Sequence, residues 1–383
     1  MIRNGIRALF ALALAVCLAG PTGVARAQAP VETHAPSTDG SSKPEGARTA
    51  WHGSMFIWDH SITTQTLGIG RDYQSRNPTY EMMFRLAPRF YLLDDPTRSL
   101  SARADVRLVR EFTNSDVTTE RGEWTFVDTE VWLAYVHALS TRPGTRSDFM
   151  VRFPSLLLPT SKTSWLSGRR IGLAGGLGLD QEVPLRGAGA VLSSVLLRPR
   201  ATYTYQFVSS PVVTRSGFDR IRVDPEGRSL PSDQLTGSAQ PQHLLNLSLR
   251  VDTTVLDNLR VITELGLRYA RRYALPGSVA IENVDTGPVM PEEAPTPARW
   301  DVTTLFSTGV YYAVTRYADV GIGYENLSSQ LGADGRRRGF FYSPNARADL
   351  TLVVMLDDLY HDARGETSPE PYHTAGAAQR SRF

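Results

Sequence analysis

One pattern constrains this chain more than any other: apolar and polar residues alternate at every second position over long segments. In LSARADVRLVREF, Leu100, Ala102, Ala104, Val106 and Leu108 take every second place, and Ser101, Arg103, Asp105 and Arg107 stand between them. A period of two belongs to a β-strand whose two faces meet different media. Such a segment needs an apolar surrounding on one side and a place for two arginines and an aspartate on the other.

The pattern recurs almost to the end of the chain. In YEMMFRLAPRFYLL, Tyr80, Met82, Phe84, Leu86, Phe90 and Leu92 share one parity, with Glu81, Arg85 and Arg89 on the other. In LRVITELGLRYARRY, Leu259, Val261, Leu265, Leu267, Tyr269 and Tyr273 oppose Arg260, Glu264, Arg268 and Arg272. RIGLAGGLGLD places Gly172, Ala174, Gly176 and Gly178 at the polar positions, where small residues relieve crowding or let a loop approach. Twelve such segments begin near residues 51, 78, 98, 123, 145, 168, 189, 241, 258, 299, 317 and 339. Their connections alternate between short (LDDPTR, STRPGT, VPLRGAG, DTTVLDN, TRYAD) and long (among them TNSDVTTERG and the stretches near 209–240 and 275–298). That alternation implies antiparallel neighbours, tight at one end and elaborate at the other.

The flanks read differently. MIRNGIR is basic, ALFALALAVCLAG is a short apolar run, and Ala25-Arg26-Ala27 forms a processing site, so residues 1–27 are expected to be an export signal cleaved near Ala27. Residues 28–50, rich in Pro, Ser, Thr and Gly, read as a flexible periplasmic leader, and residues 361–383 as a flexible periplasmic tail. A short leader sets no expectation of a passenger domain. Cys17, the only cysteine, lies in the signal, which leaves no thiols for a disulfide scaffold or a thiolate metal site. The formal net charge of +2 makes no electrostatic case for nucleic acid.

Alternation alone also fits a secreted β-sandwich. Other features point to a membrane. Loop lengths are asymmetric, several segments exceed the usual length of globular strands, and the segment count is even. Aromatic residues also recur at a membrane-like spacing. Tyr80 and Phe90 share a parity ten residues apart, and Trp300 and Tyr312 twelve apart. At the rise of a tilted strand those pairs span about 25–30 Å, close to the apolar band of membrane barrels. The expected fold is therefore an all-β, closed antiparallel transmembrane β-barrel over 51–360. It should have about 12 strands, within a range of 10–14, with short periplasmic turns and long extracellular loops. Tyr80, Phe90, Phe207, Tyr273, Trp300 and Tyr312 would form its aromatic girdle.

On these features the chain resembles bacterial outer-membrane β-barrel proteins, porin-like in the broad sense, from roughly Trp51 to Tyr360. One departure is that the last strand candidate stops near Tyr360, within LTLVVMLDDLY, and a tail follows before the terminal Phe383. The resemblance implies an outer-membrane location in a Gram-negative cell, with contacts to membrane lipid and lipopolysaccharide. It also implies insertion by barrel-assembly machinery, and no cofactor, metal or nucleic-acid partner. The oligomeric state stays open.

Function follows from the polar face. Candidate pore-lining cations are Arg103, Arg107, Arg198, Arg200, Arg268, Arg272 and Arg347, set against Asp105, Glu130, Glu264 and Asp349. One reading is a charged constriction that passes small hydrophilic solutes. The alternatives are an occluded structural or adhesin-like surface barrel, in which ion pairs fill the interior, and, less favoured, an outer-membrane lipase. For the lipase, Asp59-His60-Ser61 is the one nearby grouping, and adjacent strand residues point to opposite faces, so His60 poorly serves Ser61. No catalytic residue is therefore assigned. His137 and His243 stand singly, each read as near the short-turn end of its strand. Arg198 with Arg200, and Arg268 with Arg272, are the clusters that would bias a lumen toward anions.

Overall fold

A computed structural model describes residues 49–64, 79–113, 122–140, 146–185, 192, 194–211, 222–223, 229–230, 239–256, 258–274, 282–283, 287–288, 300–329, 339–343 and 346–366. The strands are β1 (Met55–Thr63), β2 (Tyr80–Ala87 continued by Arg89–Asp94), β3 (Arg98–Glu111) and β4 (Trp124–Phe126 continued by Thr129–Ser140). They go on through β5 (Ser147–Leu158), β6 (Arg169–Pro184), β7 (Ser194–Val208), β8 (Pro241–Leu256) and β9 (Leu259–Arg272). The last three are β10 (Trp300–Thr315), β11 (Ala318–Ser329) and β12 (Arg347–Met355). Two helices, α1 (Lys162–Leu166) and α2 (Leu356–Ala363), and two ladders of two residues per strand within the longest connections complete the described elements.

Each strand pairs antiparallel with the next, and β12 pairs back onto β1 from Met55↔Met355 to Thr63↔Arg347. The sheet is thus a closed twelve-stranded barrel. Where β2 is interrupted, Pro88 has no N–H to give, yet its carbonyl accepts from Ala104 N at 3.1 Å and the wall stays continuous. The gap in β4 is bridged in the same way by Val127 N donating to Arg107 O at 3.0 Å. Connections of two to nine residues join the strands at one end, and connections of ten to thirty-two at the other.

Sidedness follows the alternation. On β1, Ile57, Asp59 and Ser61 point inward and are 1% exposed, while Trp58 between them is 39% exposed. Phe90, Leu177, Tyr203, Phe207, Trp300, Tyr312, Ile322 and Leu350 are all exposed on the outer surface. Tyr80 and Tyr273 are half-buried at the long-loop end: Tyr80 Oη meets His60 Nδ1 at 2.9 Å, and Tyr273 Oη donates to Gln206 O at 2.5 Å.

Two boundaries differ from the sequence expectation. The twelfth strand begins at Arg347, not near 339, because Phe340 and Phe341 lie against the outside of β10 and β11. Asn326 Nδ2 donates to Phe340 O at 2.8 Å, and the Phe341 ring meets Phe306 edge-on at 5.0 Å. The same strand ends at Met355, the last partner of β1, and α2 replaces the extended stretch expected to reach Tyr360. Asp357 and Asp358 fill the first turn of α2, where the helix dipole favours carboxylates. Trp51 meets Tyr360 edge-on at 5.6 Å, and Arg316 binds Asp362 at 2.5 Å, so α2 is fixed to the short-turn end.

Candidate functional site in the barrel lumen

The interior is unevenly filled. Along β1, β2 and β10–β12 the inward side chains interlock. Ser61 Oγ donates to Glu81 Oε1 at 3.0 Å, Arg347 binds that same carboxylate, and Thr351 Oγ1 donates to Asp59 Oδ1 at 2.7 Å. The Tyr311 ring lies where a Cβ on Gly321 would stand, so the absence of a side chain there is what lets the ring cross to the neighbouring strand. Met55, Ile57, Val353 and Met355 form a small buried apolar cluster below.

Across the rest of the section, from β2 through β9 and the first residues of β10, a cavity of about 690 Å³ remains. Its lining begins at the short turns, with Asp95 to Arg98 and Arg146, and reaches the long-loop ends, with Asp128, Arg169, Gln206 and Asp301. It carries twelve arginines against eight carboxylates. The inward glycines of β6 make room: a Cβ on Gly178 would overlap the Arg200 guanidinium, and one on Gly176 would come within 2.9 Å of Thr202 Oγ1.

Most lining arginines are tied to acids. Asp105 is held between two of them, with Arg85 Nη2 at 2.9 Å and Arg107 Nη2 at 2.5 Å from Oδ2. Glu130 binds Arg152 and accepts from Ser155 Oγ at 2.5 Å, and the Arg152 guanidinium also stacks on Trp132 at 4.1 Å. Arg198 lies 3.3 Å from Asp252 and 3.8 Å from Asp180, and Arg200 also binds Asp180. Arg169 reaches Asp128 at 2.6 Å. A guanidinium engaged by a carboxylate is pinned and locally neutralised.

Of the residues expected to line a pore, Arg103, Asp105, Arg107, Glu130, Arg198, Arg200, Glu264 and Arg268 line the cavity. Arg272, Arg347 and Asp349 do not. Arg272 binds Asp301 and donates to Ala239 O at 2.6 Å at the long-loop end, while Arg347 and Asp349 belong to the filled side. The pairs expected to attract anions are thus split differently, since Arg198, Arg200 and Arg272 all have carboxylate partners. Trp132, an inward tryptophan, and Arg89, the cross-strand partner of Arg103 and already on the polar parity of its strand, are site features outside the candidate pore-lining set.

The remaining chemistry-bearing groups lie elsewhere. His60 faces outward toward Tyr80, while Ser61 faces inward toward Glu81, so Asp59-His60-Ser61 is not a nucleophile with its base. His243 is not alone, since its Nδ1 lies 2.7 Å from Tyr203 Oη on the outer face. It stands near the start of β8, at the long-loop end and not at the short turns where sequence placed it. The longest connections, including FDRIRVDPEGR, fall almost wholly outside the described residues.

A closed antiparallel wall has no unpaired edge, its outer face is largely apolar and aromatic, and most of its strand charges are inside. In hydrocarbon, only a helix or a closed barrel satisfies every backbone polar group. The architecture is that of bacterial outer-membrane β-barrels. No family model matches the chain, and no curated protein matches it. Among solved structures it is similar to an outer membrane channel from Pseudomonas putida F1, with 9% identity, a TM-score of 0.47, and 80% of this chain and 96% of that one covered. It is also similar to the KdgM porin, at 8% identity and a TM-score of 0.32 over 78% of this chain and 98% of the other. Outer membrane phospholipase A from Escherichia coli matches at 12% identity and a TM-score of 0.35, covering 79% and 89%.

Proposed function

We propose that this chain is an outer-membrane channel for passive or weakly selective passage of small hydrophilic solutes, working without catalysis or cofactor. In this reading residues 1–27 are removed after export and barrel-assembly machinery inserts the mature chain. The short turns and both flanks face the periplasm, and the long loops face outward among lipopolysaccharide. One observation supports the proposal: the lining of the arginine-rich cavity includes short-turn residues such as Arg98 and long-loop-end residues such as Gln206. A barrel sealed for purely structural use has no need of such a cavity.

Planar-bilayer recording of the purified protein tests it. Discrete conductance steps are the expected result, and a silent, correctly folded barrel would refute the channel. The filled side along β1, β2 and β10–β12 favours the second reading, an occluded structural or surface-interaction barrel, and silence would select it. A lipase assay on the same sample is expected to be negative.

A further inference from the structure

Among the described residues, Arg89 and Arg103 are lining arginines that no carboxylate engages. Arg89 on β2 and Arg103 on β3 are direct cross-strand partners, both line the cavity, and neither has a described carboxylate within 4.0 Å. Side chains directly opposite on one face stand about 5 Å apart at Cβ, and like charges there repel. Their polar neighbours are neutral. Arg89 Nη1 donates to Tyr91 Oη at 3.1 Å, and Tyr91 is in turn stacked on His52 at 3.9 Å. Arg103 Nε donates to Ser101 Oγ at 2.9 Å, and Ser101 is fully buried. These bonds orient each guanidinium while using few of its five donors.

The acids within reach are already occupied. Asp105, two residues along β3, is held by Arg85 and Arg107, and its cross-strand partner Glu130 by Arg152 and Ser155. Besides Arg89, the charged groups nearest Arg103 are Arg152 and Arg200, each tied to a carboxylate of its own, and farther toward the long-loop ends Gly176, Thr202, Asn246, Arg268 and Thr303 are successive cross-strand partners that line the cavity. Arg268 Nε there donates to Asn246 Oδ1 at 3.1 Å. Two oriented guanidinium groups side by side on the cavity wall match the planar or tetrahedral oxygens of a carboxylate or phosphate.

We infer that Arg89 and Arg103 form an oxyanion-binding step in the lumen, which takes the carboxylate or phosphate group of a small solute. The step rests on the channel reading for its purpose, but it can be tested without conduction. Inorganic phosphate is titrated against the detergent-purified chain and followed by phosphorus NMR line broadening, with acetate as competitor. Saturable broadening is expected. It should weaken by roughly tenfold in Arg89→Gln/Arg103→Gln, the loss of about one charge-assisted hydrogen bond's worth of affinity. It should persist in Arg170→Gln, which removes an exposed arginine outside the cavity lining. Competition by acetate assigns the site to carboxylates as well, and its absence narrows the site to phosphates. Arg103→Glu, which gives Arg89 a cross-strand partner and should fold at least as well, is expected to abolish binding. Non-saturable broadening, or equal broadening in Arg103→Glu, overturns the site. Conductance without binding would leave the channel standing and remove the site, and binding without conductance would do the reverse.

Discussion

At the scale of single residues, the same side chain type has opposite value depending on what it faces. Asp105 sits between Arg85 and Arg107, so Asp105→Ala leaves two guanidinium groups confronting each other with no counter-charge. Removing one partner from a buried ionic group is expensive. The variant should lose about 3 kcal/mol of unfolding stability, measured by denaturant titration in lipid vesicles. Arg103→Gln should behave the other way. It relieves repulsion from Arg89 and breaks only the bond to Ser101, so stability should be unchanged or higher by a few tenths of a kcal/mol. Gly321→Val places a branched side chain on the Tyr311 ring, and an overpacked interior of this sort costs about 1–3 kcal/mol, read in the same titration.

At the scale of the strand, alternation assigns every residue to oil or to water, and a charge on the wrong face shows it. Ile322 on β11 and Leu350 on β12 are cross-strand neighbours on the outer surface, 64% and 53% exposed. Ile322→Arg should cost about 2–4 kcal/mol of stability in vesicles, as arginine does near a bilayer midplane, whereas an arginine at an inward position is native to this chain. Equal stability of the Ile322→Arg variant and the parent would argue that this face does not meet hydrocarbon. The break at Pro88 illustrates a limit on propensity: proline interrupts β2, yet Pro88 O still accepts from Ala104 N and the wall holds.

At the scale of the whole molecule, closure is what licenses the rest. Because β12 returns to β1 through nine cross-strand positions, the wall has no edge at which to begin unravelling. Unboiled protein should therefore migrate differently from boiled protein on a detergent gel, and identical migration would contradict a closed barrel. The cavity lies off centre because bulky inward groups, Tyr311 among them, occupy one side, while Gly172, Gly176 and Gly178 thin the other. Filling the thin side should narrow the path. Gly176→Leu is expected to reduce single-channel conductance, and an undiminished conductance would place the ion path elsewhere.

Period-two alternation, loop lengths and aromatic spacing were enough to specify the fold class, the strand count, the antiparallel order and the face shown by regular strand positions, because side-chain direction is local there; at bulges such as Arg152 to Ser155 the parity shifts and only the pairing shows it. The start of β12 and the α2 turn were not legible, since Phe340 and Phe341 are settled by the rings they pack on and Leu356 by its N–H donating to Ser54 O. Nor could sequence say which arginines are neutralised. Arg198 and Arg103 look equivalent along their strands, but one meets Asp252 across the barrel wall and the other meets Arg89. Charge pairing depends on the register between strands far apart in the chain, and only the closed tertiary structure sets that register.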